Sequence, residues 1–148
     1  MASPARIDPF TVGRFLVNID GITASAFSEV SGLDASIDVV DYRAGNSNVS
    51  ADQKLPGLTH YSNITLKRGF TADLSLWNWF SGVVNGNLVR KNIVVTLLDP
   101  TEKPVLTWRI RNGWPSRWAG PVLNSTSSDV AIESLEIVHE GIDLVAAS

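Results

Sequence analysis

The sequence predicts a mainly β protein: two packed β-sheets, arranged as a barrel-like sandwich, with one flanking α-helix. Two observations support this fold class. Most apolar residues recur with the period of two that is typical of strands, and a single segment has the period of 3.6 that is typical of a helix. The 148 residues suit one domain, over residues 1–148, and the chain contains no cysteine, so its core forms without disulfides.

Alternating apolar and polar side chains mark most of the predicted strands. In RFLVNID, Phe15, Val17 and Ile19 share one face. In SNITLKR, Ile64 and Leu66 do the same. NIVVTLLD is instead almost continuously apolar, which is typical of a strand covered on both faces. The other predicted strands are ASIDVVDYR, PVLTWRIRN and SDVAIESLEIVHEG, and Asp-Pro in DPTEKP predicts a hairpin turn.

One helix is predicted over residues 72–84, within TADLSLWNWFSGVVNG. Its apolar side chains fall on one helical face, namely Leu76, Trp77, Phe80, Val83 and Val84. Thr71 can cap the start of the helix, and Gly86 can end it. We expect Trp77 and Phe80 to anchor this helix on the sheet, because they are the largest side chains on that face.

The segment from Ala44 to Leu58 shows no period and has few large apolar side chains, so it predicts a long loop. Gly45 lets the chain leave the preceding strand, and Pro56-Gly57 predicts a turn that returns it. A loop of this length cannot hold itself in place by burial alone. We therefore expect it to be mobile in a free subunit and ordered in an assembly.

Composition and motifs argue against nucleic-acid binding and against most kinds of catalysis. The formal net charge of −3 argues against a sequence-independent nucleic-acid binder, because such proteins gain affinity by neutralising phosphates. The two histidines, His60 and His139, do not have the spacing of zinc ligands. The chain contains no G-x-S-x-G, Walker or G-x-G-x-x-G motif, and no carboxylate pair stands out. We predict no catalytic residue, no metal site and no cofactor, and hence no enzyme.

Two clusters still require an interpretation. Lys67-Arg68-Gly69 resembles a phosphate cradle, but neighbours on a strand point to opposite faces, so the triplet predicts only a strand end. Trp114 and Trp118 either stack on a sugar or base, or are buried in the core or a subunit contact. The sequence favours burial or contact and leaves ligand binding open.

The N-terminus has no apolar stretch long enough for a signal-peptide core. A membrane-spanning helix needs a run of about 18 apolar residues, and the sequence has none. We therefore expect synthesis in the cytoplasm without a signal peptide, and no direct membrane insertion.

Six stretches occur in a characteristic order over nearly the whole chain: RFLVNIDG, FSEVSGL, VVDYR, KLPGLTHYSNITLKRG, LWNW and GPVLNSTSSDVAIESLEIVHEG. Their succession resembles the inner-tube proteins of contractile injection systems, which are related to contractile phage tail tubes. The resemblance implies a tail-tube or Hcp-like fold. It also implies that six subunits close into a ring, that their strands join into a barrel around a channel, and that rings stack into a tube.

The partners implied by the resemblance are other copies in stacked hexamers, a contractile sheath, a baseplate, and tape-measure and cap proteins. Cargo would pass through the lumen into a target cell. Two alternatives stay open: the tail tube of a contractile bacteriophage, which conducts DNA rather than protein effectors, and a monomeric β-sandwich module that binds a ligand with Trp114 and Trp118.

In relatives, the segment that corresponds to the predicted loop reaches a neighbouring subunit. Polar side chains suit hydrogen bonds across such a partly wet interface. The resemblance therefore implies subunit-interface residues in this loop, namely Asn46, Asn48, Asp52, Gln53, Lys54 and Leu55.

Overall fold

The computed structural model describes residues 8–11, 13–22, 27–43, 45 and 53–146. Strands account for most of the described residues, and one helix follows the fifth strand. The elements are β1 (Phe15–Ile19), β2 (Phe27–Ser31), β3 (Ala35–Tyr42), β4 (Gln53–Tyr61), β5 (Ile64–Gly69), α1 (Ser75–Val84), β6 (Lys91–Leu98), β7 (Pro104–Ala119), β8 (Ile132–Val138) and β9 (Gly141–Ala146).

Strand β7 connects the two layers of the sandwich. Its first part pairs with β6 on one side and with β9 on the other, and β1 pairs with β6. Its second part, from Trp114 to Ala119, pairs with β8, and the layer continues through β5 to β2. All these pairs are antiparallel. We call the β1-β6-β7-β9 group the first layer and the β7-β8-β5-β2 group the second layer.

The core lies between the two layers and the helix. Burial of apolar side chains is the main force that holds such layers together. The predicted alternation is confirmed, because the inward positions of β1, β5 and β8 are buried and their neighbours are not. The core residues are Val17, Ile19, Ile64, Leu66, Leu76, Trp79, Ile93, Val95, Ile110, Leu135 and Ile137.

Two strands differ from their predicted form. In β6, Ile93 and Val95 are buried, while Val94 and Thr96 are only half-buried, so the second face is not covered as predicted. β7 runs well beyond PVLTWRIRN, through the segment that contains Pro115. Proline is accepted there because the register shifts after Pro115, and irregular positions tolerate a missing N–H.

The helix starts three residues later than predicted, at Ser75. Thr71 does not cap it, since the Thr71 hydroxyl accepts a hydrogen bond from the Asp73 amide at 3.2 Å. The Asp73 carboxylate in turn accepts one from the Ser75 amide at 3.0 Å. These two local turns occupy the residues that the pattern had assigned to the first helical turn. Gly86 has a φ of 86° and ends the helix as predicted.

The buried face of the helix is not centred on Trp77. Leu76 is 0% and Trp79 7% exposed, whereas Trp77 is 39% exposed. Phe80 is half-buried against the core. Trp79 can be buried because its indole N–H donates to the Val89 carbonyl oxygen at 2.8 Å. The prediction that Trp77 anchors the helix is therefore wrong, and Leu76 and Trp79 perform that role.

The predicted loop is also partly wrong. Residues 53–58 belong to β4, which pairs with β3, and Pro56 and Gly57 lie inside that strand rather than in a turn. The register shifts between Ile37 and Val39, opposite this dipeptide, which is where a strand accepts proline. Asn46, Asn48 and Asp52 lie outside the described residues.

Candidate assembly surfaces

The antiparallel pair β3–β4, which we call the ribbon, is the most exposed element among the described residues. Every residue of it except Tyr61 is exposed. The ribbon nevertheless carries large apolar side chains on both of its faces, namely Ile37, Val39, Val40, Tyr42, Leu55 and Leu58. A lone two-stranded ribbon is at best marginally stable in water, and large exposed apolar patches mark interaction sites. The ribbon is therefore a candidate for contact with a partner surface.

The ribbon extends the hairpin formed by β2 and β5. The chain passes from β2 to β3 at Gly32, which has a φ of 89°. A Cβ at this position would lie 2.0 Å from the Asn63 carbonyl oxygen, so only glycine fits. The close approach fixes the point where the ribbon leaves the second layer.

Three predicted interface residues lie together at the far end of the ribbon. Gln53 is in register with Tyr42, and Leu55 with Val40. The Lys54 ammonium lies 2.5 Å from the Asp41 carboxylate in an exposed ion pair. Such exposed pairs contribute little stability.

A second exposed pair lies nearer the base of the ribbon. The His60 Nε2 atom lies 2.8 Å from the Asp38 carboxylate. His139 is elsewhere, with Nε2 2.9 Å from the Ser62 carbonyl oxygen. Within the described ranges, no group of three His, Cys, Asp or Glu side chains is placed to hold a metal ion.

The second layer has two edges without a strand partner in the described part of the chain. β2 pairs only with β5, and the second part of β7 pairs only with β8. Each step across this layer is antiparallel, so β2 and the second part of β7 also run in opposite directions. Open edges of this kind are templates for pairing with another chain.

The outer face of the second layer is largely polar. The Lys67 ammonium lies 3.1 Å from the Glu29 carboxylate, and Asn63 donates to Glu136 at 3.2 Å. Arg117 is in register with Glu136. Positive and negative groups are therefore interspersed across this face, which suits contact with water.

The inner face of the same layer holds a buried ion pair that we did not predict. The Arg68 Nε atom lies 2.5 Å from the Glu133 carboxylate, and both residues are 2% exposed. The Trp118 indole N–H donates to the other Glu133 oxygen at 3.1 Å, and Arg68 also bonds Asp73 at 3.2 Å. The only signal in the sequence was that Glu133 shares a strand face with Leu135 and Ile137, which are buried.

This arrangement agrees with the interpretation of Lys67-Arg68-Gly69 as a strand end rather than a phosphate cradle. Lys67 and Arg68 point to opposite faces, as predicted, and the Arg68 guanidinium is occupied by two carboxylates. Hydrogen bonding by the Ser75 amide, with a contribution from Arg68, lowers the pKa of Asp73 below its ordinary value of 3.8. The network ties the start of the helix to the second layer.

The two tryptophans have different surroundings. Trp118 is half-buried, and its ring makes an edge-on contact with Trp77 at 4.8 Å between centroids. Trp114 is also half-buried and lies opposite Val138. Trp118 thus packs against the core without being fully buried, which agrees with the burial favoured from the sequence. No helix in the described residues is long and apolar enough to cross a membrane.

Comparison with known proteins gives matches over almost the full chain. The family model of T4-like virus tail tube protein gp19 matches residues 12–143. A chain in the PVC sheath/tube terminator structure, from an extracellular contractile injection system, is 30% identical with a TM-score of 0.84, over 96% of this chain and 100% of that chain. No curated protein matches.

Two further structures agree in fold. A chain in the PVC sheath-tube complex is 29% identical with a TM-score of 0.83, over 94% of this chain and 93% of that chain. Hcp1 from Flavobacterium johnsoniae is 13% identical with a TM-score of 0.57, over 90% and 95% of the two chains. The predicted sandwich of two sheets with one helix and an Hcp-like fold is therefore confirmed.

Proposed function

Because the chain belongs to the T4-like virus tail tube protein family, it is a structural tube subunit, and we propose that six copies close into rings that stack as the inner tube of a contractile injection system. The observation that carries this proposal is the pair of open, antiparallel edges in one layer, together with an exposed ribbon that has no partner within the described chain.

Ring closure follows from the direction of the open edges. If β2 of one copy pairs with the second part of β7 of the next, the sheet continues with the same antiparallel alternation. The two surfaces are different, so the contact is heterologous and repeats from copy to copy. A heterologous contact forms a closed ring when its rotation closes, and closure removes every free edge of this layer.

In such a ring, the outer face of the second layer lines the channel. Its interspersed charges, with Lys67 beside Glu29 and Arg117 opposite Glu136, suit a water-filled lumen. The predicted interface residues lie in the ribbon and the segment that joins its strands. We assign them to contacts with a neighbouring subunit, and the full set is Asn46, Asn48, Asp52, Gln53, Lys54 and Leu55.

Structures that contain relatives support the proposed sheath, baseplate and cap partners. Chains 25–30% identical to this one occur in a sheath-tube complex, a tube-terminating cap and a baseplate. We assign this subunit to a tube that contacts sheath, baseplate, tape-measure and cap proteins and carries protein effectors, with no catalytic role and no membrane insertion. The family is named for a phage tail tube, so a conduit for DNA is the second candidate.

Assembly is tested with purified protein by native mass spectrometry and negative-stain electron microscopy. We expect hexamers in the first measurement and tubes with a central channel in the second. A clean monomer at high protein concentration in both would contradict the proposal.

The cargo is tested by isolating particles from the source cells and identifying the contents of the lumen. DNA inside the particles would favour the phage alternative.

A further inference from the structure

A second apolar surface lies where β5 ends and the helix begins. We call it the end patch, and it consists of Phe70, Trp77, Trp118, Val122, Val130 and Ile132. Its aromatic rings are contiguous, because Trp118 lies 4.8 Å from Trp77 and 6.4 Å from Phe70 between centroids. The Phe70 amide donates to the Ala131 carbonyl oxygen at 2.8 Å, which joins the rings to the 130–132 segment.

The end patch is unusually exposed for such apolar residues. Val122 is 91% and Val130 76% exposed. These two residues and Ile132 line a cavity of about 320 Å³ that also contains the carboxylate-bearing residue Asp129. The rest of the cavity is lined chiefly by polar residues. Exposed apolar side chains grouped on the surface of a subunit mark a candidate interaction site.

The end patch and the ribbon lie at opposite ends of the second layer. Gly69 is in register with Ile132 at the end that carries the patch. Ile64 is in register with Ile137 at the other end, where the ribbon leaves. β5 has six residues, so its ends are about 17 Å apart at the usual rise per residue. Val122 and Val130 are exposed in the subunit, so the ribbon of the same chain does not cover them.

We infer that the end patch receives the ribbon of a second copy in the adjoining ring. This inference rests on the proposed function and names the acceptor surface for the ribbon. The contact joins unlike surfaces at opposite ends of the subunit, so it repeats in one direction without closing, as stacked rings require. It also covers the apolar side chains that both surfaces leave exposed, including Leu58, which is 72% exposed.

Charge complementarity supports a second copy as the occupant. Arg43 follows Tyr42 at the far end of the ribbon and is exposed, and Asp129 on the wall of the cavity is exposed too. Neither side chain has an ion-pair partner among the residues that the structure describes. The ribbon of a second copy can therefore bring the Arg43 cation to a cavity that carries the Asp129 carboxylate.

Cysteine cross-linking tests the contact directly, because the natural chain has no cysteine. A disulfide forms only when the two Cα atoms come within about 7 Å, so cross-linking reports proximity. Tubes of the Leu58→Cys/Val122→Cys variant are oxidised and run on a denaturing gel without reductant. We expect a ladder of covalent dimers, trimers and longer oligomers. The matched control, Leu58→Cys/Leu16→Cys, places the second thiol on an exposed residue of β1 and should remain largely monomeric.

The outcomes separate the inference from the proposed function. If tubes of the test variant cross-link no more than those of the control, the inference is wrong and the tube assignment is unaffected. A strong dimer from Leu58→Cys alone also overturns it, because two ribbons then meet each other. A wild-type chain that never assembles overturns the proposed function and this inference with it.

A charged substitution provides an independent measurement. Val122→Glu should leave hexamers intact by native mass spectrometry and shorten or abolish tubes in micrographs. Leu16→Glu is the matched control, with a similar exposed apolar residue replaced, and should stack like the wild type. Equal tube lengths for Val122→Glu and the wild type would contradict the assigned acceptor surface.

Discussion

At the scale of single residues, the buried Arg68–Glu133 pair carries the largest desolvation cost in the described part of the fold. Removing two charges from water is costly, and their attraction compensates only when their other hydrogen-bonding groups are also satisfied. Here Glu133 also accepts from the Trp118 indole, and Arg68 also reaches Asp73. The pair thereby links β5, β8, β7 and the start of the helix at one point.

Replacing Arg68 by alanine should therefore lower the free energy of unfolding by about 3–5 kcal/mol, because it leaves the Glu133 carboxylate buried without its partner. Urea unfolding followed by tryptophan fluorescence measures this change. The matched control is Lys67→Ala, next to it on β5. The Lys67–Glu29 pair is exposed, so the control should change the free energy by about 1 kcal/mol or less. Equal effects of the two substitutions would contradict the assigned role.

Asp73 should make stability sensitive to acid. Its folded-state pKa lies below the ordinary value of 3.8, chiefly because the Ser75 amide donates to the carboxylate. A lowered folded pKa stabilises the protein above the unfolded pKa, and this contribution is lost as the pH falls from 3.8 through the folded value. Urea unfolding from pH 6 down to about pH 3 should show a shallower decline for Asp73→Asn than for the wild type. Identical slopes would contradict this.

At the scale of elements, the helix shows how packing selects one face from several apolar residues. Leu76, Trp77, Trp79 and Phe80 are all apolar, and the period of 3.6 alone could not say which of them faces the layers. The structure places Leu76 and Trp79 inward and leaves Trp77 at the margin, on the ring of Trp118.

Leu76→Ala should destabilise the protein by about 2–5 kcal/mol, because the side chain is fully buried and its removal leaves a cavity. Trp77→Ala should cost clearly less, even though the tryptophan is larger, because it is 39% exposed. Thermal or urea unfolding of the two variants measures the difference. The reverse order of stabilities would restore Trp77 as the anchor of the helix.

At the scale of the whole molecule, the exposed surfaces match the requirements of a repeating assembly. The second layer offers two open edges for closure within a ring, and the ribbon and end patch lie at opposite ends of that layer. These four features leave apolar or backbone groups exposed in a single subunit, and in the proposed assembly we expect each to be covered by its counterpart on a neighbour.

Replacement of residues 46–52 by a Gly-Ser linker tests the segment that joins the two strands of the ribbon. The substitution stops before Gln53, because that residue pairs with Tyr42 in the ribbon. We expect an unchanged circular dichroism spectrum and unfolding midpoint, and fewer or shorter tubes in micrographs. Normal tubes would show that these residues have no role in assembly, and loss of folding would place them in the core of the subunit.

The sequence alone predicted the fold class because local periodicity and the order of motifs carry that information. The inward positions of β1 and β5 follow directly from alternation, and Gly86 ends the helix as its position suggested. Periodicity was insufficient at Pro56-Gly57, where the dipeptide predicted a turn and the chain forms a strand. Pairing with β3 and a local shift in register compensate there for the missing N–H and the flexible backbone.

What the sequence determined by itself was six of the nine described strands, the single helix and the family, since these depend on residues close together in the chain or on motif order. It did not predict β2, β4 or β9. What only the tertiary structure decided was which distant residues meet. Arg68 and Glu133 are 65 positions apart and form a pair only because β5 and β8 lie side by side in one register. The opposite placement of ribbon and end patch likewise depends on strand direction, which long-range pairing fixes and local periodicity does not encode.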